Sequence, residues 1–222
     1  MGDTFSLLKK QEELELGVYE GDSKNIEGYL DWLNTGIRFL EQQSTGKEEE
    51  STQEKILKKS FNITKKYLLE SIVKDYNVKL EDTEDETMEK IIKTKANYRH
   101  FYNAIFSIRD LKDYSPVNIF TTNYDLFNEV AMEELDIQYT NGFKGTVKRT
   151  FDPTVFQLRL VDDENRYKDQ WSIFRRYVKL HKIHGSIDWS YDSESGLVIQ
   201  SAYTKASNKD ILIYPTINKH LE

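Results

Sequence analysis

The chain has 222 residues, with 31 basic and 38 acidic side chains, a net charge of −7 and no cysteine. At 38 % hydrophobic and 13 % aromatic residues it is long enough and apolar enough to bury a sizeable core, which excludes a generally disordered chain. The missing thiols exclude disulfides, a cysteine nucleophile and every cysteine-based zinc site, and the acidic balance argues against direct nucleic-acid binding. No run approaches the roughly 20 apolar residues of a membrane span. The opening Met-Gly-Asp-Thr-Phe-Ser lacks the basic and apolar regions of a secretory leader. A cytoplasmic location without a membrane partner is the expectation.

Prolines occur only at Pro116, Pro153 and Pro215, so the first 113 residues have none and read as helix. Ser23 or Asn25 can cap a helix over about 26–43, with Ile26, Leu30, Leu33, Ile37 and Leu40 as its apolar stripe. After a polar break at 44–50, Ser51 and Glu54 have capping-box spacing and open a helix to about Tyr76, with Leu57, Phe61, Leu68 and Ile72 on one side. An acidic break at 80–86 leads into a third helical pattern through Met88, Ile91, Ile92, Tyr98, Phe101, Tyr102, Ile105 and Ile108. An aromatic stripe of that kind reads as core.

From Ser115 the pattern changes. Val117–Phe120 is a β-favouring run, and 125–135 looks helical. Strands are then expected at 155–160, 177–183, 197–200 and 211–214. Helices followed by strand, helix and more strands predict an α/β fold, divided here into a helical part, 1–113, and an α/β part, 114–222.

Three segments place polar residues at the ends of apolar strands. Ile119-Phe120-Thr121-Thr122-Asn123-Tyr124-Asp125 suits the ligand position outside the carboxyl ends of an open α/β sheet, although Asn123 or Asp125 could equally be a helix cap. In Val178-Lys179-Leu180-His181-Lys182-Ile183-His184-Gly185-Ser186, a strand would turn His181 and His184 to opposite faces, which argues against a shared metal. Gly185 lets the backbone turn beside an imidazole, a group that ordinarily titrates near neutral pH. The third is Ile211-Leu212-Ile213-Tyr214-Pro215-Thr216, an apolar strand stopped by proline.

Taken in order, Thr121-Thr122-Asn123-Tyr124-Asp125, Lys182-Ile183-His184-Gly185-Ser186 and Ile213-Tyr214-Pro215-Thr216 resemble the sirtuin-like (Sir2-type) family. The closer likeness is to its bacterial branch of NAD-cleaving domains from antiphage defence proteins. The resemblance is concentrated in residues 116–219. It implies a Rossmann-like parallel sheet with a large helical insertion, and NAD+ as substrate with no metal. It carries Asn123 onto the ribose-contacting asparagine and His184 onto the catalytic histidine. Asp125 falls on the nicotinamide-side carboxylate, with Thr121, Thr122, Gly185 and Ser186 as further binding residues. Thr122 stands where deacylating members commonly have glutamine.

Two departures follow from the same comparison. The family's Gly-Ala-Gly-x-Ser phosphate loop has no counterpart, since Gly17 and Gly21 lack its spacing, and the strands after the Tyr-Pro-Thr segment are missing. The expectation is therefore the interior of a longer catalytic domain. The lack of cysteine removes the four-cysteine zinc module of protein deacylases and favours dinucleotide cleavage. The resemblance implies an NAD+ glycohydrolase releasing nicotinamide and ADP-ribose by NAD+ depletion in defence. Such an enzyme would work as a homo-oligomer, with an ATPase- or helicase-type defence partner. The alternative is a catalytically silent sirtuin-like module for assembly or nucleotide sensing. A lysine deacylase is a third reading.

Overall fold

The computed structural model describes residues 26–43, 51–76, 85–109, 115–167, 170–201 and 210–212. The proposed caps Ser23 and Asn25, the break at 44–50, Gly17, Gly21, Met88's side chain and the Ile213-Tyr214-Pro215-Thr216 segment lie outside what it describes. Among these residues it forms two compact units, divided between Ser71 and Ile72.

The first unit holds helix α1 (Ile26–Gln43) and most of helix α2 (Thr52–Tyr76). Leu30, Leu33 and Ile37 recur every three or four residues and are buried. Tyr29, Leu33 and Ile37 form a cluster with Leu57 of α2, flanked by Trp32, Leu40 and Phe61. Ser51 opens α2 as its spacing predicts, because its Oγ accepts the Glu54 amide at 3.1 Å. Lys58, one turn on, bridges Glu54 at 2.7 Å and Glu41 at 2.8 Å, tying the two helices at their polar margin.

The second unit is α/β. Helix α3 (Asp85–Ile108) precedes strand β1 (Val117–Thr121), helix α4 (Phe127–Glu134) and three short strands, β2 (Gln138–Thr140), β3 (Phe143–Lys144) and β4 (Arg149–Phe151). A 3-10 turn (Pro153–Gln157) follows, then β5 (Val161–Tyr167), β6 (Gln170–Ile173), β7 (Tyr177–Lys182), β8 (Gly185–Asp192), β9 (Leu197–Gln200) and β10 (Asp210–Leu212). Strands β1, β7 and β2 form a parallel sheet in that order, with Val117 opposite Val178 and Thr121 opposite Lys182. This is the Rossmann-like parallel arrangement expected. A five-stranded antiparallel sheet, β10-β8-β9-β4-β3, and the antiparallel pair β5–β6 accompany it.

Alternation along β1 and β7 decides what covers the parallel sheet. Val117 and Ile119, with Val178 and Leu180, face α3 and α4 and build the core with Tyr102, Ala131, Met132 and Ile137. Asn118, Phe120, Lys179 and His181 take the other face. There the His181 ring lies between Phe120, 4.5 Å away, and Phe156 of the 3-10 turn, 4.2 Å away, while Nε2 meets Asn118 Oδ1 at 3.2 Å. Burial, helped by the charge of Lys179, lowers the His181 pKa.

Two expectations need correction. The segment 155–160 is not a strand: Pro153 fixes the first turn, and Asp152 accepts the Thr154 amide at 2.9 Å, which closes 153–157 into a 3-10 turn. The stripe on α3 is only partly core. Tyr102 is buried in the core beside Ala131 and Met132, but Ile92, Phe101 and Ile108 are exposed, because they lie off the side of the helix that faces that core.

Candidate functional site

Parallel pairing of β1 with β7 brings their carboxyl ends together, and with them two of the three segments picked out by sequence. Past Thr121 the chain leaves the sheet and enters α4 at Phe127. Past Lys182 it makes a two-residue turn, Ile183-His184, into β8. The Ile183 amide donates to the Thr121 carbonyl at 2.9 Å, so the register extends one residue beyond the strands. Open α/β sheets bind ligands at such strand ends.

The Thr121–Asp125 segment is internally braced. Thr121 Oγ1 accepts the Asn123 amide at 3.0 Å. The Asn123 side-chain nitrogen donates to the Tyr98 hydroxyl of α3 at 3.1 Å. Asp125 Oδ1 accepts the Phe127 amide at 3.0 Å, which turns the chain into α4 one residue before its N-cap, Leu126. Thr122 and Asn123 are exposed, and Tyr124 and Asp125 are half-buried. Tyr98 packs its ring 5.7 Å from Phe127, and burial, followed by the charge of Asp125, raises its pKa.

The second segment faces the first. The His184 ring is half-buried, 6.3 Å from the Tyr124 ring between centroids. His184 sits in the turn and not in the strand, so the alternation that separated it from His181 ends one residue before the turn. Gly185 has φ +85°, a left-handed conformation that a side chain would strain, and this turns the chain directly after the imidazole. Ser186 is fully buried, and its hydroxyl donates to the Tyr124 carbonyl at 3.3 Å. The Ile187 amide reaches the same carbonyl at 3.1 Å.

Beneath both segments lies a buried polar cluster that sequence reasoning missed. Lys182 continues the Val178–Leu180 face of β7, so its side chain runs under the first segment. Its ammonium donates to the Tyr124 carbonyl at 3.4 Å, to the Asp125 carbonyl and to Glu129 Oε1 of α4 at 3.2 Å. The Lys182 side chain has no solvent exposure and that of Glu129 only 8 %. Burial pushes the Glu129 carboxyl up to about 7; Lys182 opposes that rise and Asp188 of β8 adds to it. Next to Glu129, Asn128 Oδ1 accepts the Tyr102 hydroxyl at 2.8 Å. One signal was available: a lysine at an apolar-face position of a buried strand must find acceptors inside.

The geometry therefore sets an amide (Asn123), a carboxylate (Asp125) and an imidazole (His184) around adjacent strand ends, over a neutralised ion pair. Such a set can orient a hydroxyl or water, accept a proton and stabilise developing positive charge. Among the described residues no three His, Asp or Glu side chains group as ion ligands. None of the described helices is long and apolar enough to cross a membrane.

Residues 117–221 match the family model of the SIR2-like domain, a stretch that opens on the first residue of β1 and includes both converging segments. No curated protein is similar enough to the chain to count as a match.

Proposed function

From a chain that carries a sirtuin-like, Sir2-type domain over residues 117–221, and hence a function connected with NAD+, we propose an NAD+ glycohydrolase. The observation that carries this reading is the meeting of Thr121–Asp125 with His184–Ser186 at the ends of two paired parallel strands. In the proposed reaction the glycosidic bond between the ribose and the nicotinamide ring nitrogen breaks, and its electron pair leaves with nicotinamide. Positive charge develops on the ribose, as in glycoside hydrolysis. A water oxygen bonds to the anomeric carbon, its proton passes to the His184 imidazole, and ADP-ribose is released. Asn123 holds the ribose hydroxyl or the water in line, and Asp125 faces the nicotinamide side, where its charge offsets the developing cation. Thr121, Thr122 and Gly185 complete the binding segment, while Ser186 works through the Tyr124 carbonyl.

The same reading puts the enzyme in the cytoplasm, depleting NAD+ in antiphage defence as a homo-oligomer alongside an ATPase- or helicase-type partner. A second reading, a silent module for assembly or nucleotide sensing, draws on the internal bonds already made by Asn123 and Asp125.

The test measures loss of NAD+ and release of nicotinamide by the purified chain beside His184→Ala and Asn123→Ala. Each substitution is expected to lower turnover by about a hundredfold or more while the fold is retained. Full turnover in both folded variants overturns the assigned roles. Binding of NAD+ without any turnover selects the silent module, and turnover that requires an acetylated peptide selects a deacylase.

A further inference from the structure

We propose that Lys182 is a positioning residue, whose ammonium fixes the segment bearing Asn123 and Asp125 against the segment bearing His184. The inference rests on the glycohydrolase reading for its kinetic consequence and on geometry for its structural one. A lysine ammonium has three N–H donors, and here they meet three acceptors: the carbonyls of Tyr124 and Asp125 and the carboxylate of Glu129. Two of the three belong to the backbone of the braced segment. If Lys182 served only to neutralise Glu129, one bond would suffice, and an apolar side chain without the carboxylate would fill the space at lower desolvation cost.

Position supports the assignment. Lys182 is the last residue of β7, two residues before His184, and it lies opposite Thr121, the last residue of β1. Movement at either strand end is therefore opposed through one buried charge. Ser186 Oγ and the Ile187 amide also reach the Tyr124 carbonyl. Lys182 adds a bond to the next carbonyl, that of Asp125.

Lys182→Met alone leaves the Glu129 carboxyl and two backbone carbonyls buried without their donor and is expected to lower Tm. The informative protein is the double variant Lys182→Met/Glu129→Gln, which removes both charges together. Its Tm is expected to return toward that of the parent. Its kcat for NAD+ is expected to stay about tenfold to a hundredfold low, with a smaller change in KM, since misplaced groups are still present but misaligned. Hydrogen exchange supplies a readout independent of activity. The amides of Asn123, Phe127 and Ile187, which report on Thr121, Asp125 and Tyr124, are expected to exchange faster in the double variant at matched stability. Unchanged exchange at these amides overturns the proposal, as does parental kcat in a double variant of parental Tm. A parent chain that binds and cleaves no NAD+ overturns the glycohydrolase reading, and the exchange result then decides the role of Lys182 by itself.

Discussion

Asn123 and Asp125 each commit one polar group to the fold, which under the proposed function leaves the other for the substrate. Asp125 braces the turn into α4 through one carboxylate oxygen, and Asn123 gives one amide donor to Tyr98. Each has a second polar function with which to meet a ligand. Tyr98 thereby joins the site from a helix whose aromatic stripe reads as core in sequence. Tyr98→Phe keeps the ring against Phe127 and removes only the hydroxyl that accepts from Asn123. Its stability is expected to change by less than about 1 kcal/mol, because the bond lies at the surface. NAD+ turnover is expected to fall several-fold as Asn123 loses its orientation. Urea unfolding and a nicotinamide-release assay on the same preparation check both halves; an unchanged rate removes Tyr98 from the site.

At the scale of elements, β7 does most to build the site. Its even positions, Val178, Leu180 and Lys182, face the helices, and its odd positions, Lys179 and His181, face the 3-10 turn. That turn is held by Lys179, which donates to the Phe156 carbonyl, and by the stack of Phe156 on His181. Next to it, Gly142 is the point where β2 passes into β3. It has φ +89°, and an added Cβ would lie 2.6 Å from the Phe151 ring and 2.9 Å from Phe156. Gly142→Ala therefore combines left-handed backbone strain with overpacking, and is expected to cost about 2–4 kcal/mol. Because Phe143, Phe151 and Trp189 pack ring to ring, the tryptophan fluorescence of the variant should shift along with its urea midpoint. A wild-type midpoint would mean that the turn relaxes without strain.

At the scale of the whole molecule, the buried Lys182–Glu129 pair links stability to pH. Unfolded, a glutamate titrates near 4.3; in the fold Glu129 is raised to about 7. Between those values the folded state holds a proton that the unfolded state has released. Stability from this group is thus fully present below about pH 4 and is lost as pH rises to about 7. The loss is on the order of 4 kcal/mol at about 1.4 kcal/mol per pKa unit. Glu129→Gln is expected to match the parent at pH 4.5 and to exceed it at pH 8, read from chemical denaturation at both. A constant difference across that range contradicts the raised carboxyl.

Much of this architecture was legible from residue order. Helices α1 and α2 follow from the 3/4 spacing of Leu30, Leu33 and Ile37 and from the Ser51–Glu54 cap, because those signals are local. β1, β7 and β9 follow from short β-favouring runs, and the likeness of Thr121–Asp125 and His184–Ser186 to sirtuin-like motifs pointed to the family found over 117–221. The strands β2, β3 and β4, of two or three residues each, were not legible, since such strands exist only through their partners. Nor was the turn at 153–157, where a proline and an aspartate override an apolar run. By itself the sequence determined the helices, the polar strand ends and the candidate residues, all written in neighbours a few positions apart. Only the tertiary structure decided that Tyr98 meets Asn123, that His184 leaves the strand, and that Lys182 lies beneath both segments. Those contacts join residues 25 to 58 positions apart, and burial of a charge becomes costly, and hence informative, only once the chain has closed around it.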